Sequence, residues 1–439
     1  MSNISYTVKN KICTGCGVCE DVCPKHAIAI ERINGENRPN LNIELCLGEK
    51  CGRCLNVCPG IGINLLEIAN RTYTDGSVKN DEYIGNYVGL HTGYSLDDDI
   101  RYHSASGGMV SQFLIYLLEK KIIDGAVVTG FAEDHITPYS YIARTRDDIV
   151  NARSSKYCPV ALNRIGNDIV NDGGARFVIV GVPCHIQGFR KRAAIDRKFR
   201  EKIVGYFSIY CSSGRTFNAQ DYLFRHYNVC RKNIKYFAYR DEGCLGNLTI
   251  EHDSSVVACE EFPLLRAMNH STKCRESESL KKISIPFTSY YGSLLRSFFK
   301  PHRCLTCIDH YGKLADVCFG DIHIKPYSDD KVGISSWITR TEYWEKQFKQ
   351  AEADAYIKMN DISPRTLNDS QATMLYSKRR RASAVMQMDK FLGRAVPQYD
   401  KLLETPKISD YVSEIVCHVQ RFIGRHRKLW WIIELLSKK

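Results

Sequence analysis

The sequence predicts an α/β protein in which an open mixed sheet follows an N-terminal cysteine-rich α+β module and precedes a helical C-terminal region. Three observations support this arrangement. Closely spaced cysteines recur within residues 13–58, and from Tyr87 onward β-branched runs alternate with helical patterns. Beyond Gly333 the apolar spacing is mainly helical. We therefore expect one small module, one larger sheet domain and a helical end.

The composition is that of an ordinary globular protein, apart from its cysteines. The 439 residues are 44% hydrophobic and 25% charged, and no run of 18 apolar residues occurs. Without an apolar leader at its start, the chain is expected to be cytoplasmic and not membrane-spanning. In a reducing compartment its 19 cysteines favour metal or redox chemistry over disulfides.

The formal net charge of +12 is a poor reason to expect nucleic acid as a partner. That figure counts every thiol as neutral. Three iron–sulfur clusters with their thiolates would add roughly −6 and remove about half of the excess. No nucleic-acid-binding motif is evident, so we expect no nucleic-acid partner.

The first module repeats one cysteine pattern. Residues 13–24 read CTGCGVCEDVCP, and residues 46–59 read CLGEKCGRCLNVCP. Three cysteines at short spacing wrap one iron–sulfur cubane, and the cysteine before proline serves the other cluster in two-cluster ferredoxins. Zinc sites usually pair two separate C-x2-C knuckles, so zinc and disulfides are the weaker alternatives. We predict one 4Fe–4S cluster on Cys13, Cys16, Cys19 and Cys58, and a second on Cys46, Cys51, Cys54 and Cys23.

A serine- and glycine-rich stretch, Ser104-Ala-Ser-Gly-Gly108, precedes an apolar pattern at helical spacing that starts at Met109. The pattern ends at Asp124-Gly125 and passes into a predicted strand. A helix start with free N–H groups and little side-chain bulk suits a phosphate or a flat ring. A capped core helix is the alternative interpretation.

Two predicted strands each end close to a cysteine. The run at 176–180 leads to Gly181-Val-Pro-Cys184, and the run at 202–210 leads to Cys211. If these strands are parallel neighbours, both thiols lie in the crevice at their carboxyl ends. The C-x2-C pair at Cys304 and Cys307 would complete four thiolates. We predict a third 4Fe–4S cluster there, with zinc or unligated thiols as alternatives.

Other roles for the cysteines are less well supported. A nucleophilic Cys184–His185 pair is disfavoured, because adjacent residues on a turn rarely face each other. The remaining cysteines have no ligand spacing and are interpreted as buried apolar residues. They are Cys158, Cys230, Cys244, Cys259, Cys274, Cys318 and Cys417.

An ordered set of motifs resembles the coenzyme F420 hydrogenase/dehydrogenase β-subunit family, here fused behind a two-cluster ferredoxin domain. The resemblance covers roughly residues 10–330. It rests on Ser104–Gly108, Ser155-Lys156-Tyr157, Gly181–Cys184, Cys211, Arg240-Asp241, Cys304-Leu-Thr-Cys307 and Ala315-Asp-Val-Cys-Phe-Gly320-Asp321.

The resemblance implies an FAD in the α/β domain, with a 4Fe–4S cluster beside it. Position by position it implies that Cys184, Cys211, Cys304 and Cys307 hold that third cluster. It implies flavin-site roles for Ser104, Ser106, Gly107, Gly108, Ser155 and Lys156, with Arg240 and Asp321 lining the pocket. After Arg240-Asp241 the family tends to have a lysine and then Gly-Trp, whereas this chain has Glu242-Gly243-Cys244. We therefore carry over no catalytic residue, and a deazaflavin is one candidate for the small-molecule substrate.

The chain is divided on this basis into four segments. Residues 1–70 form the two-cluster ferredoxin-type domain, and 85–170 form the N-terminal flavin-binding domain of the family. Residues 171–330 form its C-terminal domain with the third cluster, and 335–439 form the helical region.

The C-terminal segments 344–361 and 370–396 are predicted to be helical. The basic run at 378–381 is interpreted as a solvated helix face, with a docking patch for an acidic protein as the alternative. The end of the chain, 420–439, combines basic and aromatic residues. We expect a helix packed on its own domain or on a partner, with peripheral contact to an anionic membrane as the alternative.

The leading hypothesis is an oxidoreductase that passes electrons between a ferredoxin-like carrier, or a redox partner subunit, and a hydride substrate through FAD. A non-catalytic electron-transfer subunit of a larger redox complex is one alternative. An iron–sulfur sensor or scaffold that has lost its flavin site is the other.

Overall fold

The computed structural model describes residues 3–253, 280–400 and 403–437. Cys259 and Cys274, which the sequence assigns to no site, lie outside the described residues. Within the described part of the chain, no helix is both long enough and apolar enough to cross a membrane.

The N-terminal module is an antiparallel hairpin surrounded by short helices. The hairpin strands are Ile28–Ile33 and Glu36–Leu41. Gly17, at φ +88°, lies where the module meets the rest of the chain, and an added Cβ atom would be 2.7 Å from the Asn163 amide nitrogen. Only glycine fits both that φ and that approach. The helices of this region are Ser5–Lys9, Val18–Asp21, Arg53–Asn56 and Leu65–Thr72.

An open mixed sheet of eight strands forms the centre of the molecule, as the sequence predicts. Four consecutive strands of this sheet, from Val317–Asp321 to Gly125–Phe131 in the order given below, are parallel to one another. The other strands are antiparallel to their neighbours. The inner strands are rich in Val, Ile and Phe because helices cover both faces of the sheet. Across the sheet the order is Ile357–Asp361, Gly89–Ser95, Ser335–Thr339, Val317–Asp321, Ile203–Ile209, Phe177–Gly181, Gly125–Phe131 and Pro138–Ala143.

The register of three inner strands brings their carboxyl ends to one edge of the sheet. Ser208 lies opposite Gly181, and Ile209 lies opposite Phe319. The chain segments that carry Cys184 and Cys211 therefore leave the sheet side by side. The third strand ends at the same edge with Asp321.

Helices pack on both faces of this sheet. One core contains Phe113, Trp344 and Phe348, and the other joins Ile186 and Phe189 to Cys16 of the N-terminal module. The helices are Asp98–Tyr102, Met109–Glu119, Arg146–Asn151, Ile165–Asn171, Pro183–Ile195, Arg197–Lys202, Phe217–His226, His302–Leu305, Glu342–Ala353, Pro364–Ser370, Ala372–Tyr376, Ala382–Phe391, Ile408–Arg425 and Trp430–Ser437.

A second, antiparallel sheet of three strands lies beside the first. It is formed by Ile234–Asp241, Asn247–Asp253 and Leu280–Pro286. Its core includes Tyr222 and Trp430, which ties the end of the chain to the middle. Two small pairings complete the topology: Gly62–Ile63 with Gln398–Tyr399, and Lys79–Asp81 with Gly85–Tyr87.

The C-terminal region corrects one expectation. The segment 344–361 is predicted to be helical throughout, but the helix ends at Ala353 and Ile357–Asp361 is an edge strand of the large sheet. Alternate side chains of that strand, Ile357 and Met359, are buried, because the strand pairs with Gly89–Ser95. The sheet thus continues past residue 335, where the sequence places a segment boundary.

Candidate functional site

The first predicted cysteine set lies together in the module. Cys13, Cys16, Cys19 and Cys58 are all buried. Burial raises the pKa of the Cys19 thiol, and the nearby sulfurs of Cys16, Cys13 and Cys58 raise it further. Four bare thiolates would be unstable here, so the sulfur atoms fit a cationic iron core. Backbone N–H groups of Gly15 and Gly60 donate to Cys13 and Cys58 at 3.4 and 3.3 Å.

The second predicted set surrounds a common cavity. Cys23, Cys46, Cys51 and Cys54 line one small space that opens to solvent. The extra residues between Cys46 and Cys51 form the 3-10 turn Gly48–Lys50, so the longer spacing removes no thiol from the cavity. This arrangement fits the second cluster.

The third predicted set is assembled from distant parts of the chain. Cys184 begins the Pro183–Ile195 helix, and Cys211 follows its strand. Burial raises the pKa of Cys184, and the sulfurs of Cys211, Cys307 and Cys304 raise it further. The Gly214 amide donates to Cys304 Sγ at 3.4 Å. The structure therefore brings together the four thiols that the sequence predicts as one site.

Zinc is the alternative metal for this third set. Zinc–sulfur bonds are about 2.3 Å long, which requires close convergence of the ligands. Within residues 3–253, 280–400 and 403–437, no three Cys, His, Asp or Glu side chains form a group that could hold a single metal ion.

The first and third sets are neighbours. Cys16 is among the groups that raise the pKa of Cys184, and a Cβ atom added to Gly188 would lie 3.7 Å from Cys16 Sγ. Arg303, next to Cys304, donates from Nε to the Ile12 carbonyl at 3.1 Å. The second set adjoins the first through Cys54, which affects the pKa of Cys19. The three sets therefore follow one another through the protein.

The basic run at 378–381 is not a solvated helix face, so that interpretation is wrong. Lys378 and Arg379 are buried, and the other two arginines are half-buried. Lys378 contacts the third cysteine set, where it hydrogen-bonds Cys307. The arginines reach the Glu82 carbonyl, Asp410 and Cys417, respectively. A π-helical turn, Ser377–Arg381, directs these side chains inward.

The Ser104–Gly108 stretch lies at the start of the Met109–Glu119 helix, as predicted. A Cβ atom on Gly107 would approach the Gly93 carbonyl and the Ser335 amide to 2.7 Å each, and Gly108 has φ +74°. The Ser104 hydroxyl is buried and has no hydrogen-bond partner among the described residues. Such a buried, free hydroxyl fits a polar ligand.

Arg240 and Asp321 form a buried ion pair. Arg240 donates from Nη1 to Asp321 Oδ2 at 2.7 Å and from Nε to the Leu245 carbonyl at 2.6 Å. Burial by itself would raise the pKa of Asp321, but Arg240, His323 and a hydrogen bond from Ser106 lower it. Arg240 Nη2 is buried without a hydrogen-bond partner among the described residues. It is therefore a second polar group that a bound ligand could satisfy.

Ser155 and Lys156 lie less directly on this pocket. Lys156 donates from Nζ to the carbonyls of Ala152 and Arg153 at 2.6 Å and of Ser154 at 3.2 Å. These carbonyls follow the Arg146–Asn151 helix, so the ammonium stabilises that helix end. Burial lowers the pKa of Lys156 to about 7. Ser154, rather than Ser155, donates its hydroxyl to the main-chain carbonyl of Arg240.

A polar connection that sequence reasoning missed joins the pocket to the third cysteine set. Gln371 donates from Nε2 to the Asp321 carbonyl at 2.9 Å, and its Oε1 lies 3.1 Å from His310 Nε2. The His310 carbonyl accepts from the Cys211 amide at 3.0 Å. No spacing in the sequence indicates this connection, because its members are separated by up to 160 residues.

His185 has a structural role. The Val182 amide donates to His185 Nδ1 at 3.4 Å, and Nε2 lies 3.1 Å from the Val160 carbonyl. Burial lowers the pKa of His185 to about 4, which keeps the ring neutral. Both ring nitrogens are thus occupied by the backbone at the start of the Pro183–Ile195 helix.

Three family models match the chain in the order of these sites. Residues 12–60 match a 4Fe-4S dicluster domain. Residues 90–165 match the N-terminal part, and 174–365 the C-terminal part, of the coenzyme F420 hydrogenase/dehydrogenase β subunit.

Relatives and a solved structure agree with these matches. The coenzyme F420-dependent sulfite reductase of Methanocaldococcus jannaschii is 30% identical over 43% of this chain and 26% of its own length. The coenzyme F420 hydrogenase subunit β of Methanosarcina barkeri is 27% identical over 30% of this chain, and the match spans 46% of that subunit. The matches thus span less than half of either relative. The corresponding subunit of Methanothermobacter thermautotrophicus is 25% identical over 61% of this chain and 82% of its length.

A chain of the F420-reducing NiFe hydrogenase complex from Methanosarcina barkeri has the same fold. The TM-score is 0.53 at 19% identity, over 73% of this chain and 98% of that one. Together with the ordered motifs, these matches confirm the resemblance. The chain belongs to the coenzyme F420 hydrogenase/dehydrogenase β-subunit family and carries an N-terminal 4Fe–4S dicluster domain.

Proposed function

We propose that this chain is an oxidoreductase that passes electrons between a one-electron carrier and a hydride substrate, through three 4Fe–4S clusters and an FAD. The observation that carries this proposal is the succession of three four-cysteine sets that ends beside the Arg240–Asp321 pocket. Each cluster would carry one electron at a time. FAD, when bound, supplies the exchange between a hydride and single electrons.

The order of the centres follows from contacts already described. Cys54 adjoins Cys19, and Cys16 adjoins Cys184. From the third set, His310 and Gln371 lead to Asp321. The chain of contacts supports a route in which the second cluster is outermost and the third lies nearest the flavin.

Several residues around the pocket would hold the flavin. The free Ser104 hydroxyl and Arg240 Nη2 would bind its polar groups, and Gly107 and Gly108 would allow the backbone to approach closely. The Arg240–Asp321 pair would keep that guanidinium in position. In this proposal Ser155 and Lys156 contribute by shaping the backbone behind the pocket.

We assign the approach of the electron carrier to the outer end of the route, around the second cysteine set. Ile43, Leu45 and Leu47 are exposed there, and Lys50 and Arg53 are exposed beside Cys51. Glu44 and Glu49 are exposed there as well, so the charges are mixed, and it is the apolar patch that suits a ferredoxin-like protein or a redox partner subunit. That several relatives are named as subunits supports a partner of this kind.

The substrate class is a two-electron acceptor or donor, with a deazaflavin as the leading candidate. Relatives named for coenzyme F420 support it. Cys244, exposed in part beside Arg240 and Asp321, stands where the family tends to have other residues. We therefore expect substrate contacts on that side to differ from those of the relatives.

The test is anaerobic purification with iron, sulfide and flavin measured together. We expect about 12 iron atoms and one FAD per chain. About eight iron atoms would refute the third cluster. A chain with its full iron content that binds no added FAD would support the sensor or scaffold alternative.

A non-catalytic electron-transfer subunit would also carry the clusters. Turnover of reduced deazaflavin with an artificial one-electron acceptor, measured on the isolated chain, separates this alternative from the proposal. We expect turnover that stops when FAD is removed and resumes when it is restored.

A further inference from the structure

An uncovered apolar stripe runs along the Ile408–Arg425 helix. Its six members lie at helical spacing on one side of the helix, with two of them adjacent, and each is more than half exposed. The side that packs on the protein is polar instead, with Glu414 and Arg421 paired and Asp410 bound to Arg380. The helix therefore buries its ion pairs and exposes its apolar face. The stripe consists of Ile408, Val412, Ile415, Val416, Val419 and Phe422.

The exposed charges around this stripe have one sign. Within 407–437 the exposed charged side chains, apart from histidine, are Lys407, Arg425, Arg427 and Lys428, of which Arg427 is paired with Asp221. The three acidic residues of the same stretch are held by Arg380, Arg421 and His226. Trp431 and Leu435 extend the exposed apolar surface beyond the helix. An apolar stripe with basic ends and no free acid matches an anionic lipid surface.

We propose that the Ile408–Arg425 helix and the Trp430–Ser437 helix dock the protein on an anionic membrane surface. The aliphatic side chains would enter the boundary between headgroups and acyl chains, while the basic residues would contact phosphates. A second copy of the chain fits less well. Two-fold pairing of this helix with itself would bring Lys407 of one copy toward Arg425 of the other, and like charges repel.

The test is flotation of the anaerobically purified full chain with vesicles of phosphatidylcholine, with and without phosphatidylglycerol. We expect binding only to vesicles that contain phosphatidylglycerol. Val416→Asp with Phe422→Asp should abolish it, and Arg425→Gln with Lys428→Gln should weaken it by roughly thirtyfold, because two basic residues that contribute about 1 kcal/mol each are lost. Leu96→Asp, at an exposed apolar site elsewhere that has no proposed role, is the matched control and should bind normally.

Three outcomes would overturn the proposal. Equal binding to neutral vesicles would remove the role of charge. Absence of vesicle binding, with a dimer in light scattering that Val416→Asp dissociates, would assign the stripe to a second copy. If the protein neither binds vesicles nor forms such a dimer, the stripe is a contact surface for a protein partner.

A separate observation concerns Lys378, whose side chain is only 3% exposed. Its ammonium hydrogen-bonds Cys307 and lies near Cys211 and Cys304. Among the described residues it has no ion pair with a carboxylate. The thiolates are thus the charges that compensate this buried cation.

We infer that Lys378 raises the reduction potential of the third cluster, an inference that rests on the proposed function. Reduction adds one negative charge to a cluster, and a fixed positive charge beside it favours that state. By the same reasoning, the lysine would make the centre nearest the flavin a better electron acceptor.

Redox titration monitored by electron paramagnetic resonance tests this inference. Lys378→Met should lower the midpoint potential of one signal, which is the signal that Cys184→Ser removes. Lys378→Arg should leave that midpoint potential close to its original value. Lys191 is the matched control, because it donates to the Cys58 and Gly62 carbonyls beside the first set. Lys191→Met should shift a different signal.

The results distinguish the role of Lys378 from the existence of the third cluster. If the midpoint potential of the third signal is unchanged in Lys378→Met, the proposed role of the lysine is wrong, while the assignment of the cluster stands. If Cys184→Ser removes no signal, the proposed cluster itself is wrong.

Discussion

The N-terminal cysteine sets and the third set are built in different ways. Eight cysteines within residues 13–58 reach their places through short loops, a hairpin and one-turn helices. The third set takes Cys184 and Cys211 from the ends of parallel strands. Cys304 comes from a one-turn helix almost a hundred residues further on, and Cys307 follows that helix. The first two sites therefore depend on local spacing, whereas the third depends on the register of the sheet.

The surroundings of the sets differ as well. The second set lines a cavity that opens to solvent, whereas the third set has Lys378, Arg303 and aromatic side chains such as Tyr291 around its half-buried cysteines. An opening to solvent suits exchange with a carrier, and nearby charges suit a centre whose potential the protein sets.

The largest expected effect is the loss of a whole cluster. Cys211→Ser should remove about four of about 12 iron atoms, because that thiol would be one of four ligands. Iron and sulfide analysis with electron paramagnetic resonance measures this. Cys318→Ser is the control, since Cys318 is fully buried on the next strand and is not a proposed ligand. Equal iron loss in both variants would contradict the ligand assignment.

A second prediction concerns the contact between the module and the third set. Arg303 donates to the carbonyls of Ile12 and Pro59 and to the Tyr399 hydroxyl. Arg303→Met should lower the free energy of unfolding by about 3 kcal/mol, because buried hydrogen bonds from a charged donor are lost. Anaerobic denaturant unfolding measures the change. Arg53→Met, at an exposed arginine of the module, should change it by less than about 0.5 kcal/mol.

Substitutions in the pocket are expected to have smaller effects than substitutions in the cysteine sets. Arg240→Met combined with Asp321→Asn removes the buried pair without leaving one charge alone. The affinity for FAD should fall by about tenfold, because a charged hydrogen-bond donor is lost. Equilibrium dialysis measures this, and the cluster signals should persist. Unchanged affinity would place the flavin elsewhere.

A further effect is a pH dependence of stability away from the clusters. Burial, with Arg379 and Arg340 nearby, lowers the pKa of Lys313 to about 7 from 10.5. Between these values the unfolded chain binds a proton that the folded protein does not, so stability rises with pH, by up to about 1.4 kcal/mol per pH unit. Unfolding at pH 7 and at pH 9 should show this rise, and Lys313→Met should lack it.

Lys313 and Lys378 are equally buried but have different neighbours. Both lysines are 3% exposed, but Lys313 donates to the Tyr83 carbonyl and has no thiolate beside it. Its pKa falls, whereas that of Lys378 rises. A pH-dependent stability of the same sign from Lys378 would contradict the charge compensation described for the third set.

Much of the fold and of the site could be predicted from the sequence. The family and the mixed sheet followed from motifs and from β-branched runs. The parallel pairing of the strands before Cys184 and Cys211 was a condition of the third-site prediction, and the structure meets it. The role of the basic run at 378–381 was predicted wrongly, because four consecutive basic residues resemble a solvated surface unless a π-helical turn directs them inward. The edge strand Ile357–Asp361 was taken as helix, since pairing with Gly89–Ser95 is not visible in local periodicity.

By itself, the sequence determined which residue types could carry the chemistry: two repeated cysteine patterns, two strand ends with thiols, a C-x2-C pair and the family motifs. Local spacing is sufficient where a few residues wrap one ligand. Only the tertiary structure decided that Cys16 adjoins Cys184, that Gln371 and His310 join the pocket to the third set, and that Lys378 lies among its thiols. These contacts join residues far apart in the chain, and they form because the sheet and its covering helices bury them together.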